Sequence, residues 1–309
     1  DEIPVFISSI TKLYTATVIM KLFEMNLLSL DDSISRFLPH DLIKGIQVYN
    51  GNDYSDQVTI EELLSQSSGI ADYYEEKSAS GKSMFDIFIS DPDRKWTVDE
   101  TIQRTRDSLK SHFVPGTGTY YSDANYQLLG KIIERTAQKP LYMVYDDLIF
   151  KPLELKNTWL IGSPQGDTLH RCAPADVYYK DKIITRSRTN GAYWADGGIV
   201  STAPEMIIFM KALNEGKIIS KESLAMMHNW HEWRLPLQYG FGTMYFKLPP
   251  MMTKISKLTP LWGHSGSTGS FLYFSEDLNL YMAGSLNEVG SNIKPFELMS
   301  RVIKITGSK

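Results

Sequence analysis

The chain has 309 residues, 42% of them apolar, with a net charge of −4 and one cysteine, which suits one large domain or two intimately packed ones with an ample core. The acidic balance and the lack of a Lys/Arg cluster argue against nucleic acid as a partner. The most hydrophobic stretch, Leu13 to Leu30, is broken by Lys21 and Glu24 and falls short of a membrane span.

In chain order, the start at Asp1, with no initiator methionine and no signal peptide, implies a processed, trimmed or cut N-terminus. The first element opens at Phe6-Ile7-Ser8-Ser9-Ile10-Thr11-Lys12. From Thr11 to Asn26 apolar residues occur almost all round, which predicts a helix buried between layers. Ser9 and Lys12 have i, i+3 spacing and so share a face at its N-terminus. There Lys12 can take the Ser9 proton if burial partly neutralises its ammonium, and the macrodipole favours negative charge developing at Ser9. Taken alone, Ser-x-x-Lys is a weak signal, better explained as a helix cap followed by a solvated lysine.

Ser29 to Pro39 reads as a turn and short helix, and Val58 to Leu64 as another helix ending near Gly69. The intervening motif Leu64-Ser65-Gln66-Ser67-Ser68-Gly69-Ile70 is expected to be structural. Tyr121-Ser122-Asp123 stands on a loop before an amphipathic helix, Asp123 to Lys139, where the Tyr121 hydroxyl can relay a proton between Ser9, Lys12 and a leaving group. Cys172 cannot form an intramolecular disulfide and is expected to be a small buried hydrophobe. Thr202-Ala203-Pro204-Glu205 caps a helix that ends around Gly216. His228-Asn229-Trp230-His231-Glu232 offers two imidazoles and a carboxylate, but their spacing fits no zinc pattern and packing accounts for them. Tyr73, Tyr74, Tyr120, Trp194 and Trp262 are candidates for a cleft wall, with core packing the simpler role for most.

Near the C-terminus the period changes. Trp262 to Phe274 and Leu278 to Leu286 read as strands joined by a turn at Ser275-Glu276-Asp277, and Lys294 to Thr306 as a closing helix. Within this region, Trp262-Gly263-His264-Ser265-Gly266-Ser267 has the small residues that let a strand approach a substrate and supply a main-chain N–H to an oxyanion hole beside that of Ser9. The same run is one residue short of a Gly-x-Ser-x-Gly elbow. An α/β-hydrolase with Ser265 as nucleophile is excluded because none of the six histidines follows His264.

These motifs, in this order, resemble the serine β-lactamase and penicillin-binding protein superfamily, on the branch holding class C β-lactamases, D-Ala-D-Ala carboxypeptidases, D-aminopeptidases and esterases. The similarity runs from Phe6 to about Asn287 and includes Pro152 to Thr158 and Ala195 to Thr202. It implies an α+β fold (an α/β sandwich), with an antiparallel sheet flanked by helices. A single catalytic domain over 1–309 follows, its helical region at about 40–250 inserted between a nucleophile helix 9–26 and C-terminal strands and helix over 257–309. By the same resemblance Ser9 is the acylated nucleophile, Lys12 its general base and Tyr121 the proton carrier. Asp123 and His264-Ser265-Gly266 face the substrate, with the N–H groups of Ser9 and Ser267 as the oxyanion hole. No metal or organic cofactor is needed. The partners implied are small-molecule or peptidoglycan-like peptide substrates and β-lactams, and the implied setting is extracytoplasmic.

This sequence departs from the family pattern in two places, Asp123 and the stretch before Ser9. Asp123 stands where the family usually has Asn, so it can pair with Lys12 and hold it protonated, but when ionised it cannot donate to a substrate carbonyl. Within the superfamily, His264 in place of the β-lactamase-typical lysine resembles D-peptidases and esterases more than class C β-lactamases, and a neutral imidazole attracts a substrate carboxylate less at neutral pH. Only eight residues precede Ser9, where the family has a helix and two strands, so a sheet edge is expected that another chain or a rearranged segment must cover. The function expected is hydrolysis of D-amino-acid peptides, in the manner of a DD-carboxypeptidase, or of esters through an acyl-enzyme. The alternatives are β-lactam hydrolysis and, in another class, a catalytically silent penicillin-binding sensor.

Overall fold

Helix Thr11–Glu24 is buried on nearly every side, from Thr11 through Met20, as expected of a segment with no polar stripe. Its Tyr14 ring stacks at 3.7 Å on Phe209 of helix Ala203–Asn214. The computed structural model describes residues 2–164, 173–185, 192–234, 236–253, 259–291 and 293–306, so Cys172 lies outside the described residues.

The fold is α+β. Six antiparallel strands form a sheet in the spatial order Leu280–Gly284, Phe271–Ser275, Thr259–Ser265, Met244–Leu248, Leu237–Tyr239, His231–Arg234. Alternation along the strands sorts their side chains onto two faces. Trp262, Leu272 and Phe274 join the main core with the two buried helices, whereas Leu261, Phe271, Tyr273 and Met282 pack with Met299 and Ile303 of the C-terminal helix Lys294–Thr306. Strand Leu280–Gly284, only half-buried, is one edge of this sheet among the described residues.

Two expectations are corrected here. The helical region does not extend to about 250, because His231–Arg234, Leu237–Tyr239 and Met244–Leu248 are strands. They are too short to show a period of their own and take their identity from pairing, Met244 with Gly263 through Leu248 with Thr259. The run from Trp262 to Phe274 is two strands, broken by a turn over Gly266–Ser270 that closes with the Gly266 N–H donating to the Ser270 carbonyl. A small sheet of Val5–Phe6, Ile199–Ser201 and Trp159–Leu160 also escaped sequence reading, since each strand has only two or three residues. This sheet delivers the chain to Ser9: Phe6 pairs with Val200 and the Ile7 N–H donates to Ile199 O.

The helical middle is held by local signals that the sequence carries. Thr59 and Glu62 form a reciprocal capping box on helix Ile60–Leu64, and Thr202 caps helix Ala203–Asn214, whose first turn holds a proline. The Ser65–Gly69 motif acts as a brace. The Gln66 carboxamide oxygen accepts from Ser122 N–H and Asn125 Nδ2, and Ser68 donates to the Asn125 side chain, so the start of helix Asp123–Ala137 is fixed from outside.

Candidate active site

Ser9 lies in a tight helical turn, Ser8–Ile10, that runs directly into helix Thr11–Glu24. The turn starts from strain. Ser8 has φ +48°, a left-handed conformation that costs a non-glycine residue on the order of 1–2 kcal/mol. The 266–270 turn holds it there: the Ser8 and Thr268 hydroxyls lie 3.1 Å apart, Thr268 Oγ1 donates to Phe6 O, and Ser270 Oγ donates to Ile7 O. Gly266 lies so close to Ile7 O and the Ser8 Cβ that no side chain fits, which is the physical need for glycine at this point of the third motif.

Lys12 is wholly buried, and its Nζ has three polar partners. Its Nζ donates to Ser9 Oγ at 3.2 Å and to the backbone carbonyl of Asp196 at 2.7 Å, and it forms an ion pair with Asp123 Oδ1. Burial alone would depress its pKa, but the charge of Asp123 and then of Asp196 outweighs burial and holds it above the ordinary lysine value. Lys12 is therefore an ammonium at neutral pH, donating to Ser9 rather than accepting from it.

Tyr121 closes the group from the other side. Lys12 Nζ is 5.1 Å from its ring centroid and Ser9 hydrogen-bonds its hydroxyl. Burial, reinforced by Asp123, pushes the phenol well above its usual pKa, so it rests protonated. Asp123 begins helix Asp123–Ala137, where its own N–H donates to Asp72 Oδ1 at 3.0 Å. Burial and then the Asp123 charge push Asp72 well above the normal carboxylate range.

The third motif divides in space. His264 is fully buried, with Nδ1 2.7 Å from Ser265 O and Nε2 3.3 Å from the Tyr239 hydroxyl. Burial, and after it the Lys12 charge, lowers it to about 3, so the ring is neutral. It therefore donates through Nδ1–H and accepts at Nε2, with no atom open to the cleft, which corrects the expectation that it faces substrate. Ser265 shares a hydrogen bond with the Tyr273 hydroxyl at 2.9 Å. Ser267 lies with Ser9, Asp123 and Asp196 on the wall of a cavity of about 380 Å³.

Asp196 has no role legible in sequence, although it lies within the Ala195 to Thr202 motif. The backbone there fixes Lys12, while its carboxylate accepts from the Tyr73 hydroxyl at 2.5 Å and from Trp194 N–H at 3.0 Å. Burial and the Asp123 charge raise it to about 6. Tyr239 is likewise not legible in sequence, because its role exists only through the sheet that carries it past His264. Among the aromatic candidates, Tyr74 lines the cavity, whereas Tyr73 and Trp262 are buried. The His228 ring is packed between Trp230, 4.9 Å away, and Trp262, 4.4 Å away.

The family model described as Beta-lactamase matches residues 4–299, and so covers every element of this site. The chain belongs to the β-lactamase family. By family it is a serine hydrolase. The D-stereospecific amidohydrolase from a Streptomyces species superposes with a TM-score of 0.80 at 25% identity, covering 96% of this chain and 86% of that one. "Protein flp" of Staphylococcus aureus strain MW2 is 33% identical over 153 residues, or 49% of this β-lactamase-family chain; the match spans 27% of that protein's length. The D-alanyl-D-alanine-carboxypeptidase/endopeptidase AmpH of Escherichia coli K12 is 24% identical over 66% of this chain and 47% of its own length.

Proposed function

We propose that this chain hydrolyses D-amino-acid peptides or esters through an acyl-enzyme on Ser9. The observation that carries the reading is the Ser9 Oγ contact with Lys12 Nζ at the wall of a cavity that Ser267 also lines. The resemblance to a D-stereospecific amidohydrolase and to AmpH favours D-configured amide or peptide substrates.

In the resting site Lys12 is charged, so a proton must leave it before it can serve as base. A substrate filling the cavity expels water from the ion pair, and moving one proton from Lys12 Nζ to Asp123 then leaves a neutral amine and a neutral acid. The amine takes the Ser9 proton as Oγ adds to the carbonyl carbon. Main-chain N–H groups of Ser9 and Ser267 receive the oxyanion. Tyr121 passes its phenolic proton to the departing nitrogen or oxygen as that bond breaks, and Lys12 returns a proton to Tyr121. Water then enters, loses its proton along the same route and releases the acid.

Time-resolved intact-protein mass spectrometry with a D-alanine p-nitroanilide and p-nitrophenyl acetate tests this. Product release with a transient adduct, both lost in Ser9→Ala, is the expected result. Turnover that survives in Ser9→Ala overturns the assignment, and a stable adduct without turnover favours the penicillin-binding sensor. A β-lactamase reading ranks second, because the residue at the third-motif cation position, His264, is neutral and buried.

A further inference from the structure

The cavity beside Ser9 is walled by aromatic and aliphatic groups far more than hydrolysis itself requires. Tyr74, Phe85, Phe88 and Tyr193 form one interlocked set, with ring centroids 5.7 Å apart for Tyr74–Phe85 and for Tyr74–Tyr193, and 5.5 Å for Phe88–Tyr193. Edge-to-face contacts of this kind favour the ring orientations seen here. Against the rings packs the hairpin of Tyr178–Tyr179 and Lys182–Ile183, seated on Phe85 through Tyr179 at 4.9 Å. Ile183 lines the cavity yet is 52% exposed, an apolar side chain left to solvent at the mouth of a binding site.

Charge in the same cavity has the opposite sign to that needed for an anionic substrate. Among the described residues, Asp93, Asp123 and Asp196 line it, against one cation, Lys182, which is exposed on the hairpin. Lys12 is committed to Asp123, and His264 is neutral and sealed away. Among the described residues, a substrate carboxylate placed beside Ser9 would meet Asp123 and Asp196, with Lys182 the cation of the lining. Arg234, over the Trp233 ring, lies outside the described lining of this cavity, with its charge acting on Glu75 and Tyr120.

We infer that the site selects neutral esters or amides of bulky apolar acids, seating the acyl group in the cavity lined by Tyr74, Phe85, Phe88, Tyr193 and Ile183, and discriminates against substrates that carry a carboxylate. This inference rests on the acyl-enzyme reading above, and it narrows that reading to substrates whose recognition is apolar. At about 380 Å³ the cavity has the size of a small-ligand site.

The experiment is a kcat/KM series with p-nitrophenyl acetate, hexanoate, phenylacetate and hemisuccinate, run on the wild-type chain, on Ser9→Ala and on Ile183→Asp. Hexanoate and phenylacetate are expected to exceed acetate by roughly tenfold or more, from methylenes and ring carbons buried in the transition state. Hemisuccinate should fall below acetate, and Ile183→Asp should compress the hexanoate-to-acetate ratio. Ser9-dependent turnover with equal rates for all acyl groups, or with hemisuccinate preferred, overturns the apolar-acyl inference and leaves the acyl-enzyme reading standing. Turnover that persists in Ser9→Ala overturns both.

Discussion

The Lys12 ammonium and the Asp123 carboxylate form an ion pair on the inner side of Ser9, with the lysine side chain wholly buried and the aspartate almost so. A pair removed from water is held strongly, but it also binds a proton that the serine chemistry needs to move. The reactivity of Ser9 is therefore set by this pair rather than by the serine itself.

Replacing Asp123 with Asn tests that relationship. Without the carboxylate, burial becomes the dominant influence on Lys12 and its pKa falls. The base is then neutral over a wider range, so the rise of kcat/KM with pH should move to lower pH and acylation at pH 7 should increase by about tenfold. Stopped-flow ester acylation across pH 5–10 measures both. A slower variant with an unmoved limb would show that turnover depends on the proton passed to Asp123 and that the carboxylate does not restrain Lys12.

Lys12→Ala and Tyr121→Phe separate the two proton carriers. Loss of the amine should lower acylation by several orders of magnitude, and loss of the phenol by about 10²–10⁴-fold in kcat. Substrates with a better leaving group need less protonation from Tyr121. The Tyr121→Phe deficit should accordingly be smaller for p-nitrophenyl esters than for p-nitroanilides, whereas Lys12→Ala should cripple both.

Gly266→Ala addresses the clasp under Ser9. The added methyl would meet Ile7 O and Ser8 Cβ, so the turn before Ser9 must shift. A displacement of this kind is expected to reduce kcat by about 100-fold and to lower Tm, even though residue 266 carries no reacting group. Thermal denaturation beside steady-state kinetics checks it, and an unaltered kcat would mean that the strain at Ser8 is irrelevant to catalysis.

His228 makes stability depend on pH away from the site. Burial lowers its pKa to about 4 from an ordinary 6.5. The folded state therefore binds this proton less readily than the unfolded chain, and its contribution is fully present above pH 6.5 and lost as pH falls toward 4. The loss from this ring reaches on the order of 2–3 kcal/mol at the acid end. His228→Phe retains the packing on Trp230 and Trp262 and should flatten that part of the stability profile, measured by urea unfolding between pH 4 and 7.

Locally encoded features of this protein were legible in the order of its residues. The buried helix after Ser9, the caps at Thr59 and Thr202, the start of the helix at Asp123 and the turn after Ser275 depend on spacing within one element, where near neighbours decide the outcome. The i, i+3 meeting of Ser9 and Lys12 belongs with these, since one helical turn brings them together. What tertiary structure alone decided is non-local. Strands such as Leu237–Tyr239 exist because a partner strand supplies their hydrogen bonds, and Asp196 reaches Lys12 across 184 positions of chain. His264 turned from the cleft into the sheet because Tyr239, on another strand, receives its ring. Burial, which makes Lys12 a committed cation and His264 a neutral ring, is a property of the packed chain, and no spacing of residues states it in advance.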